Sequence, residues 1–154
     1  MLDPIVKSID VPCGPQQAFD VFWKDMSAWW PLDKFTTSAM AGQPAKAIRV
    51  DARPGGEIVE IGGDDTETLW GVIEAFEPPS YVRTTFHFAP PGVVVEDRTL
   101  LEVRFTGIDG GRTRVELTQT NWEVLGDQAA DIRGGYEFGW GVIFEKAYKA
   151  ACGG

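Results

Sequence analysis

At 154 residues with 44% hydrophobic content, the chain has the size of one domain and enough apolar side chain to bury a substantial core, so a second domain is not expected. Its formal net charge of −9 and pI near 4.5 argue against a general nucleic-acid binder and a binder of anionic membranes, since both surfaces are recognised through clustered Lys and Arg. No apolar run reaches the roughly 18 residues of a spanning helix, and the opening MLDPIVKSID has neither the basic region nor the apolar segment of a secretory signal, so a cytoplasmic protein is expected.

Residues 4–11 alternate Ile5, Lys7, Ile9 and Val11 against Val6, Ser8 and Asp10, the pattern of an opening strand. Pro12 and Gly14-Pro15 end it. From Pro15 the spacing of Ala18, Phe19, Phe22, Met26, Trp29 and Trp30 predicts one helix broken near Lys24-Asp25, or two short ones, with Pro15 in the first turn. Pro31 stops it, and Leu32 to Pro44 reads as an irregular loop. Ala47 to Ala52 and Glu57 to Ile61 then form a hairpin across the turn Arg53-Pro54-Gly55-Gly56. Thr66 to Phe76 is the next strand, broken by Pro78-Pro79. In Tyr81 to Phe88 the parity sets Val82, Thr84, Phe86 and Phe88 on one face, opposite Tyr81, Arg83, Thr85 and His87.

Val93 to Phe105 is long enough for one extended strand carrying Val95, Leu101, Val103 and Phe105 on one side, and Asp109-Gly110-Gly111 is a strong hairpin signal. Thr113 to Asn121 follows, with Val115, Leu117 and Gln119 against Arg114, Glu116 and Thr118. Strands joined by tight turns imply an antiparallel meander with one buried face. Its cover is the last stretch, Asp127 to Cys152, where Ile132, Tyr136, Trp140, Ile143, Ala147 and Ala150 fall on one stripe of a long amphipathic helix, widened by Phe144 and Tyr148. Gly134, Gly135, Gly139 and Gly141 each cost that helix roughly 1 kcal/mol relative to Ala. They either weaken its N-terminal half or let the backbone approach a sheet or a ligand closely.

The ordered pieces PQQAFDVF from Pro15, Trp29-Trp30-Pro31, Arg53-Pro54-Gly55-Gly56-Glu57, Gly71 to Val82 with its Pro78-Pro79, TRVELTQT, and Gly139-Trp140 span almost the whole chain. In that order they resemble the START-like, birch-pollen-allergen-like (SRPBCC) superfamily, in the branch named for the activator of the heat-shock-protein-90 ATPase. The resemblance implies an α+β helix-grip fold: about six or seven antiparallel strands curved around a long C-terminal helix, with two short helices after the first strand and an elongated cavity between sheet and helix. Members bind lipids, hormones, polyketides and other hydrophobic small molecules, and some are cyclases or hydrolases. Members often carry a His about four residues before the helical Gly-Trp pair; Tyr136 stands at or next to that position here, a departure from the pattern.

The expected occupant is a hydrophobic small molecule, because inward rings with few polar groups make an apolar pocket. The candidate lining comprises Trp70, Phe86, Phe88, Val103, Phe105, Leu117, Tyr136 and Trp140, with Trp29 and Trp30 near one mouth. Thr84, Gln119, Asn121 and the Tyr136 hydroxyl are the polar handles of the same parity. The alternative is that these rings fill a close-packed core.

For catalysis the residues point to little. His87 is the single histidine and its parity directs it away from Phe86 and Phe88; GxSxG is absent. One His with Cys13 and Cys152 at opposite ends of the chain suggests neither a zinc or iron site nor a redox pair. Asp64, Asp65 and Asp97 lack an EF-hand register, and GxGxxG and a Walker lysine are missing, so no metal or cofactor is expected. A cavity enzyme would need a carboxylate or Tyr136 in apolar surroundings, and Asp97 shares the parity of Val95 and Leu101 if its strand is unbroken. A chaperone-binding module, after the branch's namesake, is the third reading. The oligomeric state, monomer or homodimer, is left open.

Overall fold

The computed structural model describes residues 2–154. Seven antiparallel strands form one sheet in the order β1-β7-β6-β5-β4-β3-β2. They are β1 (Ile5–Val11), β2 (Ala45–Val50), β3 (Glu57–Gly62), β4 (Glu67–Glu77), β5 (Tyr81–Phe86), β6 (Thr99–Ile108) and β7 (Arg112–Thr120). Between β1 and β2 lie α1 (Pro15–Trp23), α2 (Met26–Trp29) and α3 (Thr37–Met40). After a 3₁₀ segment, Trp122–Gln128, the chain closes with α4 (Ala129–Val142), which runs on through a π-turn, Ile143–Tyr148, to Lys149–Ala151. The fold is the helix-grip α+β arrangement. No helix among the described residues is long and apolar enough to cross a membrane.

The meander bends where its ladders slip. Register shifts fall between Ala45 and Ala47, between Ile58 and Val59, and between Ile73 and Ala75, and such bulges increase local twist and curl. At the tightest place a Cβ on Gly71 would stand 1.7 Å from the Thr85 carbonyl oxygen. Nothing larger than a hydrogen fits there without moving backbone. Gly71→Ala is therefore expected to cost at least about 2 kcal/mol, within the range of overpacking and strand displacement. An unchanged urea midpoint would contradict the close approach.

The helix pattern holds with one rotation. Tyr136, Trp140, Phe144, Tyr148 and Cys152 are buried, whereas Ala150 is exposed and Ala147 only half-buried. Spacing of four drifts by about 40° per step on a straight α-helix. The π-turn absorbs that drift: Ala147 and Ala150 turn away, and the buried face centres on Phe144 and Tyr148, which widen the expected stripe. Their rings stack at 5.7 Å, and the Tyr148 hydroxyl donates to the Ala18 carbonyl at 2.7 Å, tying the terminal helix to α1. Cys13 and Cys152 are free and buried, and burial pushes the Cys152 thiol up to about 12.

Two expected elements differ. Leu32 to Pro44 is not wholly irregular, because Thr36 caps α3 by accepting from the Ala39 N–H at 3.1 Å. The strand expected from Val93 starts only at Thr99, since Pro90-Pro91-Gly92 and the loop after it leave the ladder. Asp97 therefore never acquires the inward parity of Leu101. It is exposed, which removes it as a buried acid.

Candidate ligand-binding cavity

The sheet's concave face is filled chiefly by rings. Trp30 and Trp70 lie 5.0 Å apart, Trp70 and Phe88 4.8 Å, and Phe86 and Trp140 5.7 Å. Beneath α1, Phe105 packs edge-on against Phe19 at 5.2 Å. Val103, Leu117, Trp70, Phe86 and Thr84 are sealed in this core. Trp29 sits on the α1 side, its indole N–H donating to the Val21 carbonyl at 2.7 Å.

The polar handles expected inside are already engaged. The Thr84 hydroxyl donates to the Thr85 carbonyl at 2.8 Å. The Gln119 amide accepts from the Trp140 indole at 2.8 Å and donates to the Thr99 hydroxyl at 2.8 Å, and that hydroxyl donates to the Phe86 carbonyl at 2.5 Å. Asn121 donates to the Arg98 carbonyl at 3.3 Å. These groups hold the core in register and offer a guest nothing further.

The open space lies at one end, between α4, the segment around α3 and the chain just beyond β5. A cavity of about 360 Å³, partly open to solvent, is walled there by Phe35, Met40, Phe88, Ile132, Trp140 and Ile143, with Gly135 and Gly139 in the helix wall and Lys34, His87 and Tyr136 as its polar groups. Of the twelve residues expected to line a ligand, Phe88, Tyr136 and Trp140 border it, and Trp30 stands behind Phe88 at 6.4 Å. Trp29, Trp70, Thr84, Phe86, Val103, Phe105, Leu117 and Gln119 do not. The helix glycines have their consequence here: beyond Gly135 a Cβ would meet nothing within 4 Å, and beyond Gly139 it would meet the Phe35 ring at 3.6 Å.

His87 reverses its expected direction. Its N–H pairs with the Trp70 carbonyl at 2.9 Å, but the last β5–β6 pair is Phe86 with Thr99. The next amide, that of Phe88, donates to the Tyr136 hydroxyl at 2.9 Å. Leaving the ladder breaks strict alternation, so His87 and Phe88 both reach the cavity. His87 Nδ1 lies 3.2 Å from the same hydroxyl. The Tyr136 oxygen thus takes one backbone donor and shares a proton with the imidazole, while the ring stacks on Phe88 at 5.4 Å. Either tautomer of that contact leaves one donor of the pair unspent, the His87 Nε2–H or the Tyr136 O–H.

Burial pushes the Tyr136 phenol up, so it stays protonated. Burial, assisted by the charge of Arg98, holds the His87 imidazole below the usual histidine range. A neutral buried histidine gives a pH signature with a definite sign. The unfolded chain takes up a proton below about pH 6.5, whereas the folded imidazole resists to lower pH, so acidification through that window favours unfolding. Asp10 and Asp64, held low by hydrogen bonds from Arg114 and Thr66, titrate below it. Urea midpoints between pH 7 and 5 are expected to fall in the parent and to flatten in His87→Gln, the difference being at most about 1.4 kcal/mol per pH unit. Equal slopes would mean a solvated imidazole.

The cavity's outer wall is held by a residue that hydropathy did not single out. Glu60 on β3 is fully buried and accepts from the Thr37 N–H at 2.9 Å, the Thr37 hydroxyl at 3.1 Å, the Ser38 N–H at 2.8 Å, the Ser38 hydroxyl, and the Trp70 indole at 3.0 Å. It fastens the first turn of α3 to the sheet. An acidic residue between Val59 and Ile61 in a buried strand was the available signal.

The sequence model of the family described as activator of Hsp90 ATPase homolog 1-like protein matches residues 15–150. The chain belongs to that family, within the SRPBCC superfamily. Among solved structures it is similar to an anthrahydroquino-γ-pyrone synthase, Txn09, with 25% identity over 88% of each chain and a TM-score of 0.60. It is similar in fold to the self-sacrificing resistance protein CalC from Micromonospora echinospora, at 22% identity over 97% of this chain and 93% of the other with a TM-score of 0.67. An Hsp90 activator from Plasmodium falciparum shares 18% identity over 77% and 72%, with a TM-score of 0.51. No curated protein matches the chain.

Proposed function

We propose that this protein binds a small, mainly apolar molecule in the end cavity, with the His87–Tyr136 pair as its polar anchor. The observation that carries the reading is the cavity itself: rings and aliphatic side chains surround it, and one hydrogen-bonding pair with an unspent donor borders it. That combination suits an apolar guest bearing a polar substituent. Trp140 at the wall supplies a reporter, so titration with N-phenyl-1-naphthylamine is expected to quench tryptophan emission and raise the melting temperature. Absence of both responses, for this probe and for other apolar aromatics, would contradict the reading.

A second reading, a cavity-based enzyme of cyclase type, is favoured by the same pair together with the likeness to the γ-pyrone synthase. A neutral imidazole joined to a phenol can pass a proton to or from a bound carbonyl compound. It differs from simple binding in that His87→Gln would remove turnover and leave a bound, unchanged guest. Chaperone docking rests on the family's description and the fold shared with the Plasmodium activator, and ranks third.

A further inference from the structure

We infer that the molecule bound in the end cavity is an acid, an apolar ring system carrying a carboxylate, sulfonate or enolate oxygen, drawn in by Lys34 and by the positive charge of Arg98 behind His87. The inference rests on the binding reading above and adds the guest's charge to it. Of the chain's fourteen Lys and Arg side chains, ten stand within 4.0 Å of a carboxylate: Lys7, Lys24, Lys46, Arg49, Arg53, Arg83, Arg104, Arg112, Arg114 and Arg133. Among the described residues four have no such partner: Lys34, Arg98, Lys146 and Lys149. In a chain with 23 acidic residues, unpaired cations are the exception. Two of the four attend one cavity.

Their positions differ. Lys34 borders the cavity directly and is exposed at its mouth. Arg98 does not line it. It precedes Thr99, whose ladder partner is Phe86, so Arg98 and His87 leave the same end of the same strand pair. Its Nε and Nη2 are buried with no hydrogen-bond partner, an arrangement that ordinarily costs free energy and calls for an acceptor or an anion nearby. No Asp or Glu borders the cavity. The charge that borders it, on Lys34, is positive; Arg98 behind His87 is positive too, with Glu96 as the carboxylate acting on it, and the His87–Tyr136 contact leaves a donor free. A low-dielectric wall strengthens attraction for an anion placed against it. A neutral guest would leave both cations unused, and a cationic one would be repelled.

Two fluorescent probes share a scaffold and differ by one charge: 1-anilinonaphthalene-8-sulfonate, an anion, and N-phenyl-1-naphthylamine, which lacks the sulfonate. The parent protein is expected to prefer the anion by about tenfold, as for one charge-assisted contact. Lys34→Gln, at an exposed position where folding is not at stake, and Arg98→Gln are each expected to shrink that ratio toward one. A parent ratio near one, or a preference that survives both substitutions, would overturn the inference while leaving apolar binding intact. Failure of both probes to bind would overturn the binding reading together with this one.

Discussion

Glu60→Ala is expected to cost about 3 to 5 kcal/mol of stability and to weaken ligand binding with it. The substitution removes one acceptor group and strands five donors: two backbone amides and two hydroxyls from Thr37 and Ser38, and the Trp70 indole. Each buried donor left without a partner costs roughly 1 to 3 kcal/mol, moderated where α3 swings out and finds water. That swing is the functional consequence. Phe35 and Met40, on either side of the tethered turn, wall the cavity, so loosening α3 widens the mouth and removes apolar contact. Glu60→Gln, which keeps one acceptor oxygen and turns the other into a donor facing donors, is expected to fall between parent and Ala. Urea unfolding measures the stability and N-phenyl-1-naphthylamine titration the affinity. A loss below about 1 kcal/mol for Glu60→Ala would mean that the tether contributes little.

Gly135→Leu is expected to abolish binding without harming the fold, lowering affinity by about a hundredfold, or close to 3 kcal/mol. A Cβ there meets nothing of the protein within 4 Å, and the position borders the space the guest would fill. Replacing Gly within α4 also recovers up to about 1 kcal/mol of helix propensity, so the melting temperature should hold or rise. Gly134→Leu is the matched control: it is equally unobstructed, sits one residue earlier and does not border the cavity. Weak binding with an intact fold in the first, and normal binding in the second, locate the guest against this wall. Equal binding in both would move the guest elsewhere.

How far the sequence specifies this molecule can be judged from such residues. Periodicity and turn chemistry gave the seven strands, the break between α1 and α2, and the covering helix, because each is a local pattern repeated over many residues. The cavity's place was not legible, because it depends on where patterns end. Strict alternation sends His87 outward, yet the ladder stops at Phe86 and the Tyr136 hydroxyl captures the next amide. Glu60 reads as a polar residue in a strand until a turn more than twenty residues earlier supplies its donors. Phe144 and Tyr148, which widen the expected stripe, are buried, but the π-turn rotates Ala147 and Ala150 off the buried face, which α-helical spacing does not anticipate. Inward parity identified the apolar side chains that turn toward the core; it did not distinguish those that fill it from those that border free volume. Val103, Phe105 and Leu117 are of the first kind, and Phe88, Tyr136 and Trp140 of the second.

Whether the guest occupies the end of the grip or its centre is read most directly from backbone amide shifts during titration with 1-anilinonaphthalene-8-sulfonate. Shifts gathered at Phe35, His87, Phe88, Ile132, Gly135 and Gly139, with Val103, Phe105 and Leu117 unmoved, are the predicted result. Shifts centred on Val103, Phe105 and Leu117 would contradict it.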